Sequence, residues 1–374
     1  MVIKNGKVFQ KEGFFEEKPL HIQGKKIVEA TEGLDEEIID ATDMYVIPGL
    51  VDIHFHGCVG YDFCDGTKEA IEKMAKYQME NGVLAICPAS MTFSEEKLGE
   101  IFANAASYES KQGATLIGIN MEGPFISLEK KGAQNPAYIH APDVGMFQRL
   151  QQKAKGMIKL VDIAPEENGG IAFIEELGSE VTISLAHTTA DYDTAKEAFE
   201  KGAKQVTHLY NAMPPFSHRA PGVIGAACDN EKVMVELIAD GVHSHASVVR
   251  TTFKMFGDER IIFISDSMMA CGLLDGQYSL GGQDVTVRGN LATLTENGAI
   301  AGSVTNLMNC MKNAVQNMNI PLESAIKCAT INPARAIGME HAYGSLEEGK
   351  LANVVLLDKN LNICRIIKEG TVVL

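Results

Sequence analysis

Residues 45–57 read Tyr-Val-Ile-Pro-Gly-Leu-Val-Asp-Ile-His-Phe-His-Gly. The run from Tyr45 to Ile53 is apolar and β-branched, which predicts one buried strand, and Gly57 marks its end. Because side chains alternate along a strand, His54 and His56 point the same way. Two imidazoles at the end of a buried strand suit a divalent metal, since histidine is the commonest metal ligand. Taken alone, the pair is equally well explained as core or cleft histidines satisfied by hydrogen bonds.

The chain beyond this stretch alternates apolar strands with amphipathic helices. Two of the predicted helices are Thr67–Asn81, capped by Thr67, and Ser94–Ser110. Eight strands are predicted in βα alternation: Tyr45–Ile53, Val83–Cys87, Thr115–Met121, Leu160–Ala164, Val181–Leu185, Gln205–Thr207, Val233–Ile238 and Ile261–Ile264. This count favours an α/β fold of the (β/α)8 TIM-like barrel type. A doubly wound open sheet has the same periodicity and stays open as an alternative.

Both chain ends are rich in short strands. The predicted ones are Met1–Ile3, Lys7–Phe9, Pro19–Ile22, Lys26–Ala30 and Glu37–Ala41 at the start, and Asn353–Leu357, Ile363–Ile367 and Thr371–Leu374 at the end. We expect the two ends to pair into one small discontinuous β-sandwich domain. The predicted division is therefore 1–47 with 339–374 for the small β domain, and 48–338 for the barrel.

Bulk properties narrow the classes of partner. The 374 residues carry a net charge of −16, which argues against non-specific nucleic-acid binding. No apolar run reaches the roughly 20 residues that span a bilayer, and the N-terminus lacks the pattern of a signal peptide. The eight cysteines form no Cys-x-x-Cys pattern and no evident disulfide framework. We expect a cytoplasmic protein with reduced cysteines that has neither nucleic acid nor membrane as a partner.

Four further polar residues follow predicted strands: Glu122, His187, His208 and Asp266. Singly, Glu122 could cap a helix or pair with a lysine, and Asp266 could cap the next segment. In a parallel barrel, however, the carboxyl ends of the strands meet at one mouth. Histidine and carboxylate ligands together match a divalent ion such as Zn²⁺ or Fe²⁺. With His54 and His56, these residues predict a metal site.

The predicted chemistry is hydrolysis of an amide or a related bond. A bound metal commonly lowers the pKa of its water toward neutrality. A carboxylate must then accept the proton of that water and return it to the leaving group. Asp266 is the natural candidate, because it follows the last strand and because Ser265 and Ser267 can orient it.

The residues resemble the amidohydrolase superfamily and, within it, the N-acetylglucosamine-6-phosphate deacetylases. The superfamily pattern is Pro-Gly-x-x-Asp-x-His-x-His at 48–56, with single histidines after two later strands and the terminal Asp266. The deacetylase motifs follow in family order through nearly the whole predicted barrel: Glu122-Gly-Pro-Phe125, Lys131-Gly-Ala133, His187-Thr-Thr-Ala190, His208-Leu-Tyr-Asn-Ala-Met213, His218-Arg-Ala-Pro-Gly222, Asp240-Gly-Val-His243, Ser265-Asp-Ser-Met268, Ala301-Gly-Ser303 and Ala329-Thr-Ile-Asn-Pro-Ala334.

This resemblance implies a role for each matching position. Glu122, His187 and His208 would hold the principal metal, and Asp266 would be the catalytic base and acid. The substrate is a sugar phosphate, N-acetylglucosamine 6-phosphate, which is hydrolysed to glucosamine 6-phosphate and acetate. The implied substrate-binding residues are Ala133, Gln134, Asn211, Ala212, Arg219, His243, Ile300, Ala301 and Gly302. A homodimer is also implied, with Arg219 reaching the site of the neighbouring subunit; a guanidinium suits a phosphate of about −2 charge.

Two departures from the family pattern affect these expectations. Some members lack the first histidine pair and bind one metal, whereas this chain keeps His54 and His56. One or two ions per subunit are therefore open, and in the second case Glu122 could bridge them. Some members also carry a histidine that contacts the reacting carbonyl, where this chain has Gln134. An amide donates a hydrogen bond but cannot be protonated, which leaves the oxyanion-stabilising group and the sugar preference open.

Three alternative functions remain at this level. The nearest is the same chemistry on N-acetylgalactosamine 6-phosphate. A cyclic-amide hydrolase such as a dihydroorotase is more distant, because that group normally uses a carboxylated lysine where this chain has Glu122. A non-enzymatic scaffold is the least favoured, because such proteins typically lose metal ligands and all six candidates persist here.

Overall fold

The computed structural model describes residues 1–30, 37–109 and 112–374. The end of the predicted helix Ser94–Ser110 therefore lies outside the described residues. The strands are β1 Val2–Lys4, β2 Lys7–Phe9, β3 Phe15–Glu17, β4 Leu20–Gln23, β5 Lys26–Val28, β6 Ile38–Asp40, β7 Tyr45–Pro48, β8 Leu50–Asp52, β9 Gly57–Cys58, β10 Tyr61–Asp62, β11 Val83–Ile86, β12 Thr115–Leu116, β13 Ile119–Glu122, β14 Ile158–Ile163, β15 Thr182–Leu185, β16 Gln205–Val206, β17 Met234–Ile238, β18 Ile261–Ile264, β19 Gly276–Leu280, β20 Gln283–Arg288, β21 Leu291–Leu294, β22 Val354–Leu357, β23 Ile363–Lys368 and β24 Thr371–Val372.

The helices follow most of the inner strands. They are α1 Lys68–Glu80, α2 Glu95–Ala105, α3 Val144–Lys153, α4 Gly170–Leu177, α5 Tyr192–Lys201, α6 Gly222–Asp229, α7 Ala246–Phe256, α8 Leu307–Met318, α9 Leu322–Ala329 and α10 Ile331–Ala336. The cap predicted for the first of them is confirmed, because Thr67 Oγ1 accepts a hydrogen bond of 3.1 Å from the Ala70 amide. Among the described residues, no helix is long and apolar enough to cross a membrane.

The inner strands form two parallel sheets. Their orders are β12-β11-β8 and β13-β14-β15-β16-β17-β18, so neighbours in sequence are neighbours in space. The first and last of these strands meet beyond their ends, where the Asp266 amide donates to the His54 carbonyl at 2.9 Å and the His56 amide donates to the Ser267 carbonyl at 2.7 Å. The predicted α/β alternation is confirmed, and all carboxyl ends of these strands face one side.

The prediction of one strand over Tyr45–Ile53 is wrong. The chain breaks at Gly49 into β7, which pairs with β22 and β2, and β8, which pairs with β11. At the break the Gly49 amide donates to the Asn353 carbonyl and the next amide donates to the Gly82 carbonyl. A Cβ at Gly49 would lie 2.6 Å from Leu84 Cδ1, so the crossing needs a glycine. Gly57 also opens a short hairpin of β9 with β10 instead of simply ending a strand.

Strands from both chain ends build two further sheets. Their orders are β5-β4-β1-β6 and β24-β23-β22-β7-β2-β3. One apolar cluster takes buried side chains from both sheets, among them Ile3 and Leu20 from the first and Val46 and Val354 from the second. The pairing of the two chain ends is confirmed, whereas the division into two domains stays a prediction.

A three-stranded antiparallel sheet, β19-β20-β21, lies between β18 and α8 and was not predicted. The alternation of Val285 and Val287 and the two-residue Gly281-Gly282 turn are typical of a hairpin and are the sequence signal for this sheet. The hairpin tip contacts the 131–134 loop, because Gln283 Nε2 donates to the Ala133 carbonyl. This sheet therefore forms part of the wall around the strand ends.

Candidate metal centre and adjoining cavity

The predicted metal ligands all lie at the carboxyl ends of the inner strands. Glu122 is the last residue of β13, and the others follow β8, β15, β16 and β18 within four residues. Every one of the six side chains is buried: His54, His56, Glu122, His187, His208 and Asp266. Five strands thus bring together residues that are up to 212 positions apart in the chain, from 54 to 266.

Glu122 stands at the centre of this cluster. Its Oε1 atom lies 3.2 Å from His187 Nε2, 3.2 Å from His208 Nε2 and 3.3 Å from His54 Nε2. The two nitrogens of His187 and His208 are 3.1 Å apart. One carboxylate oxygen and three imidazole nitrogens therefore converge on one small volume.

The second part of the cluster lies on the other side of Glu122. His56 Nε2 is 3.4 Å from Glu122 Oε2 and 3.3 Å from Asp266 Oδ1, and His54 Nε2 is 3.8 Å from the same Asp266 oxygen. Among the described residues, the groupings able to hold an ion include Glu122 with His187 and His208, and His54 with His56 and Asp266. The first is the set that the family resemblance implies for the principal ion, and the second contains the His54 and His56 pair that leaves a second ion open.

The donor atoms fit a divalent cation. His54 Nε2 is fully buried and has no hydrogen-bond partner in the described part of the chain. Burying a polar atom without a partner costs free energy, and a cation would satisfy this nitrogen. Imidazole nitrogens with carboxylate oxygens are the ligand types of Zn²⁺ and Fe²⁺ sites.

Three of the six residues have left-handed backbone conformations. The φ angles are +45° for His187, +30° for His208 and +48° for Asp266. Such conformations are uncommon outside glycine and cost about 1–3 kcal/mol each. Backbone hydrogen bonds hold these turns, including a bond of 2.7 Å from the Ser303 amide to the Asp266 carbonyl. The tight turns direct all three side chains into the cluster directly after their strands.

The charges within the cluster stabilise each other. Burial opposes ionisation of Glu122, but the neighbouring imidazoles of His54, His187 and His208 outweigh it and hold the pKa of Glu122 well below its usual range. Burial likewise opposes the charge on His54, yet nearby carboxylates raise its pKa well above the usual value. The pKa of Asp266 is lowered, because the effect of burial is outweighed by the hydrogen bond from His56 and the adjacent imidazoles. The carboxylates are thus kept ionised, which a metal ligand requires.

Three buried acids behind the cluster were not predicted as site residues, although Asp52 is the aspartate of the pattern at 48–56. Glu236 contacts His54 Nδ1 at 2.9 Å, Asp162 accepts from Thr207 Oγ1 at 2.7 Å, and Asp52 accepts from Ser265 Oγ at 2.6 Å. Burial raises the pKa of Asp52 to about 7, although the Ser265 hydroxyl and the backbone amides of His54 and Ser265 donate to its carboxylate. The available signal was a charged residue inside an otherwise apolar strand, as in Met234-Val-Glu-Leu-Ile238.

A cavity of about 400 Å³ opens above the cluster. Metal-site residues form its floor, except for His54, which lies behind them. The predicted substrate residues that line it are Ala133, Gln134, Asn211, Ala212, His243, Ile300 and Gly302. Met91, Lys130 and Leu280 also line it and were not predicted. The volume suits a small-molecule ligand.

Two predicted substrate residues do not line this cavity. Arg219 is exposed on the loop between β16 and α6, and Ala301 is fully buried behind its neighbours. Gln134 lines the cavity but is already engaged, since its Nε2 donates to Glu122 Oε2 at 2.6 Å and its Oε1 accepts from the Thr92 amide at 2.7 Å. His243 is held by Asp240 at 2.7 Å.

Comparison with known proteins agrees with this geometry. The sequence model of the amidohydrolase family matches residues 45–373. The chain belongs to the amidohydrolase family. This amidohydrolase is 35% identical to the N-acetylglucosamine-6-phosphate deacetylase of Bacillus subtilis (strain 168), over 99% of its own length and 93% of the relative. It is 29% identical to the N-acetylgalactosamine-6-phosphate deacetylase of Escherichia coli O157:H7, over 99% and 98% of the two chains.

The solved structure of another protein is similar to this amidohydrolase over the whole length of the chain. It is an aspartate-to-alanine variant of N-acetyl-D-glucosamine-6-phosphate deacetylase from Mycobacterium smegmatis, in complex with N-acetyl-D-glucosamine-6-phosphate. The TM-score is 0.92 at 30% identity, with 100% of this chain and 99% of the other covered. The similarity therefore includes the sheets at both chain ends as well as the inner strands.

Proposed function

We propose that this amidohydrolase removes the acetyl group of N-acetylglucosamine 6-phosphate, yielding glucosamine 6-phosphate and acetate. The observation that carries the proposal is the Glu122 carboxylate at 3.2–3.3 Å from three imidazole nitrogens, on the floor of a small-molecule cavity. The deacetylase relatives, which match almost the full chain, support the choice of substrate.

The residues suited to hold the principal ion are Glu122, His187 and His208, and those suited to a second ion are His54, His56 and Asp266. Zn²⁺ and Fe²⁺ both match this donor set. When bound, such an ion polarises the acetyl carbonyl and lowers the pKa of water. The protein supplies a buried set of imidazole and carboxylate donors whose directions are fixed by the strand ends.

Asp266 is the proposed general base and acid. It is 8% exposed and lines the cavity floor, so its carboxylate faces both the metal ligands and the substrate space. Its lowered pKa keeps it ionised and ready to accept a proton from water. The oxygen of this water forms a bond to the acetyl carbon, and the Asp266 carboxyl then returns the proton to the amine as the carbon–nitrogen bond breaks.

The sugar phosphate is proposed to lie across the cavity lining. Asn211, Ala212 and His243 would contact the sugar and phosphate, with the backbone around Ala133, Gln134 and Ile300, Ala301 and Gly302 against the ring. Arg219 is exposed and does not line the cavity of its own chain. This exposure supports a homodimer in which Arg219 reaches the phosphate bound by the neighbouring subunit.

The finer architecture is part of the same proposal. The inner strands would close into a (β/α)8 barrel over 48–338, with a small β domain from 1–47 and 339–374. The backbone bonds between the ends of β8 and β18 support closure. The eight cysteines are free thiols, which suits the reducing cytoplasm.

The test is acetate release from both epimeric substrates. Purified protein supplied with Zn²⁺ or Fe²⁺ should release acetate from N-acetylglucosamine 6-phosphate with the higher kcat/KM. A higher kcat/KM on N-acetylgalactosamine 6-phosphate would assign the alternative substrate. Release from neither substrate with metal-loaded, folded protein would overturn the proposed function.

A further inference from the structure

Glu236 lies directly behind the cluster of candidate metal ligands, in contact with His54. It sits in the middle of β17 and is fully buried. Its Oε2 contacts His54 Nδ1 at 2.9 Å and accepts from the His208 amide at 3.2 Å, while its Oε1 accepts from Gln205 Nε2 at 2.7 Å. One carboxylate thus links a side chain of one proposed ion site to the backbone of the other.

The contact with Glu236 determines the orientation of the His54 ring. An ionised carboxylate can only accept hydrogen bonds, so the Nδ1 atom of His54 must carry the proton. The opposite nitrogen, Nε2, then faces Glu122 Oε1 at 3.3 Å and Asp266 Oδ1 at 3.8 Å. In this arrangement Nε2 is directed into the cluster, where a cation that displaces its proton would bind.

The outer nitrogen of each ligand candidate is Nδ1, the ring nitrogen opposite the one that faces the cluster. In the other three imidazoles this atom has no carboxylate as a hydrogen-bond partner among the described residues. His187 Nδ1 donates to the Lys130 carbonyl at 2.8 Å. The Nδ1 atoms of His56 and His208 have no hydrogen-bond partner among the described residues. His54 is therefore the one imidazole of the described cluster whose outer nitrogen contacts a carboxylate. A carboxylate behind a ligating histidine fixes its tautomer and strengthens it as a ligand.

We propose that Glu236 is a positioning residue that holds His54 Nε2 toward a second divalent ion, bound between His54, His56 and Asp266. Glu236 thereby determines how tightly this second ion binds. The inference rests on the proposed two-ion site, and it adds that occupancy of this site depends on a residue that touches neither the ion nor the substrate.

Glu236→Gln tests this role with little change in shape. Gln205 Oε1 has no hydrogen-bond partner in the described structure. The Gln205 amide can therefore rotate and accept from the new side chain. All three hydrogen bonds of the residue 236 side chain can then form in this variant. Only the negative charge behind His54, which strengthens it as a ligand, is lost. The variant should fold, which circular dichroism and thermal melting would check.

The experiment is titration of metal-free protein with Co²⁺, followed by visible absorption and by calorimetry without substrate. Wild-type protein should bind two ions. Glu236→Gln should weaken the second ion about 10–100-fold, the range found for partners of ligating histidines. Binding of the first ion, at Glu122, His187 and His208, should change less than the second.

A double-mutant cycle separates positioning from general support of the fold. In a His54→Ala background, Glu236→Gln should have no further effect on Co²⁺ affinity, because the proposed route passes through His54. An equal effect in both backgrounds would overturn the inference. So would two ions bound with unchanged affinity in Glu236→Gln. A wild-type protein that binds one ion would instead refute the two-ion site itself, and the inference with it.

A measurement on the unaltered chain covers the case in which the variant fails to fold. Protein labelled with ¹⁵N-histidine and loaded with Zn²⁺ should show a slowly exchanging Nδ1 proton on His54. The signal is assigned by its disappearance in His54→Ala. A proton on Nε2 instead would contradict the proposed orientation.

Discussion

Replacing Asp266 with asparagine should abolish most of the catalysis while leaving the fold and the principal ion in place. The substitution keeps the size of the side chain and removes its ability to accept a proton. The backbone position is held independently, by the bond from the Asp266 amide to the His54 carbonyl at 2.9 Å and the bond from the Ser303 amide at 2.7 Å. Asp266→Asn is therefore a chemical perturbation more than a structural one.

The expected size follows from the two tasks of Asp266. A positioned general acid or base contributes about 10²–10⁴-fold to rate, which is about 2.7–5.4 kcal/mol in activation free energy. The carboxylate serves both proton transfers, so kcat should fall at least 10²-fold. Asp266 lies on the floor of the cavity with the metal ligands, so KM should change much less than kcat.

The assay is steady-state acetate release from N-acetylglucosamine 6-phosphate, with metal content measured on the same samples. Asp229→Asn is the matched control, because it makes the same chemical change on an exposed helix residue whose carboxylate accepts from the Tyr192 hydroxyl. The control should retain wild-type kcat. A kcat for Asp266→Asn within about tenfold of wild type, with metal retained, would refute the assignment of Asp266 as base and acid.

Three further predictions concern stability and metal. Dialysis against a chelator should lower the melting temperature, which added Zn²⁺ should restore, because an ion that binds only the folded chain stabilises it; an unchanged melting curve would contradict a folded-state metal site. Gly49→Val should cost about 1–3 kcal/mol in urea unfolding, because its Cβ would lie 2.6 Å from Leu84 Cδ1; Gly276→Val in β19 offers a control, because the nearest atom to its Cβ lies at 3.5 Å and its φ is not left-handed. Glu347→Gln should cost about 1 kcal/mol at pH 7, given partial solvent screening. Burial alone would raise the pKa of Glu347, but hydrogen bonds from a neighbouring serine, Lys350 and Lys11 lower it from 4.5 to about 2. This stabilisation is present above pH 4.5 and is lost as pH falls through about 2, so the two proteins should converge in acid; a difference that grows in acid would contradict this sign.

The residues of the metal cluster were predictable because each follows an apolar strand. Glu122, His187, His208 and Asp266 interrupt runs of buried residues, and the topology of parallel strands brings such positions together. Their convergence is therefore a consequence of strand order, which the βα alternation already indicated. The short left-handed turns at His187, His208 and Asp266 could not be predicted, since those residue types do not require them.

Other features depend on contacts between distant parts of the chain. The break at Gly49 arises because β7 pairs with β22, some 300 residues later, whereas β8 pairs with β11. The sequence around Gly49 is apolar on both sides and does not reveal the change of sheet. Glu236 is similar, because its role depends on His54, 182 positions earlier. A charge inside an apolar strand indicates that a buried partner exists but does not identify it.

The most direct test of the proposed function is acetate release during titration of metal-free protein with Zn²⁺. N-acetylglucosamine 6-phosphate is the substrate, and Glu122→Ala, which removes the central carboxylate of the cluster, is the comparison. We predict that wild-type activity rises from near zero and saturates at one or two equivalents, and that Glu122→Ala stays inactive at stoichiometric Zn²⁺. Full activity of the metal-free protein, or of Glu122→Ala, would contradict a metal-dependent hydrolysis at this cluster.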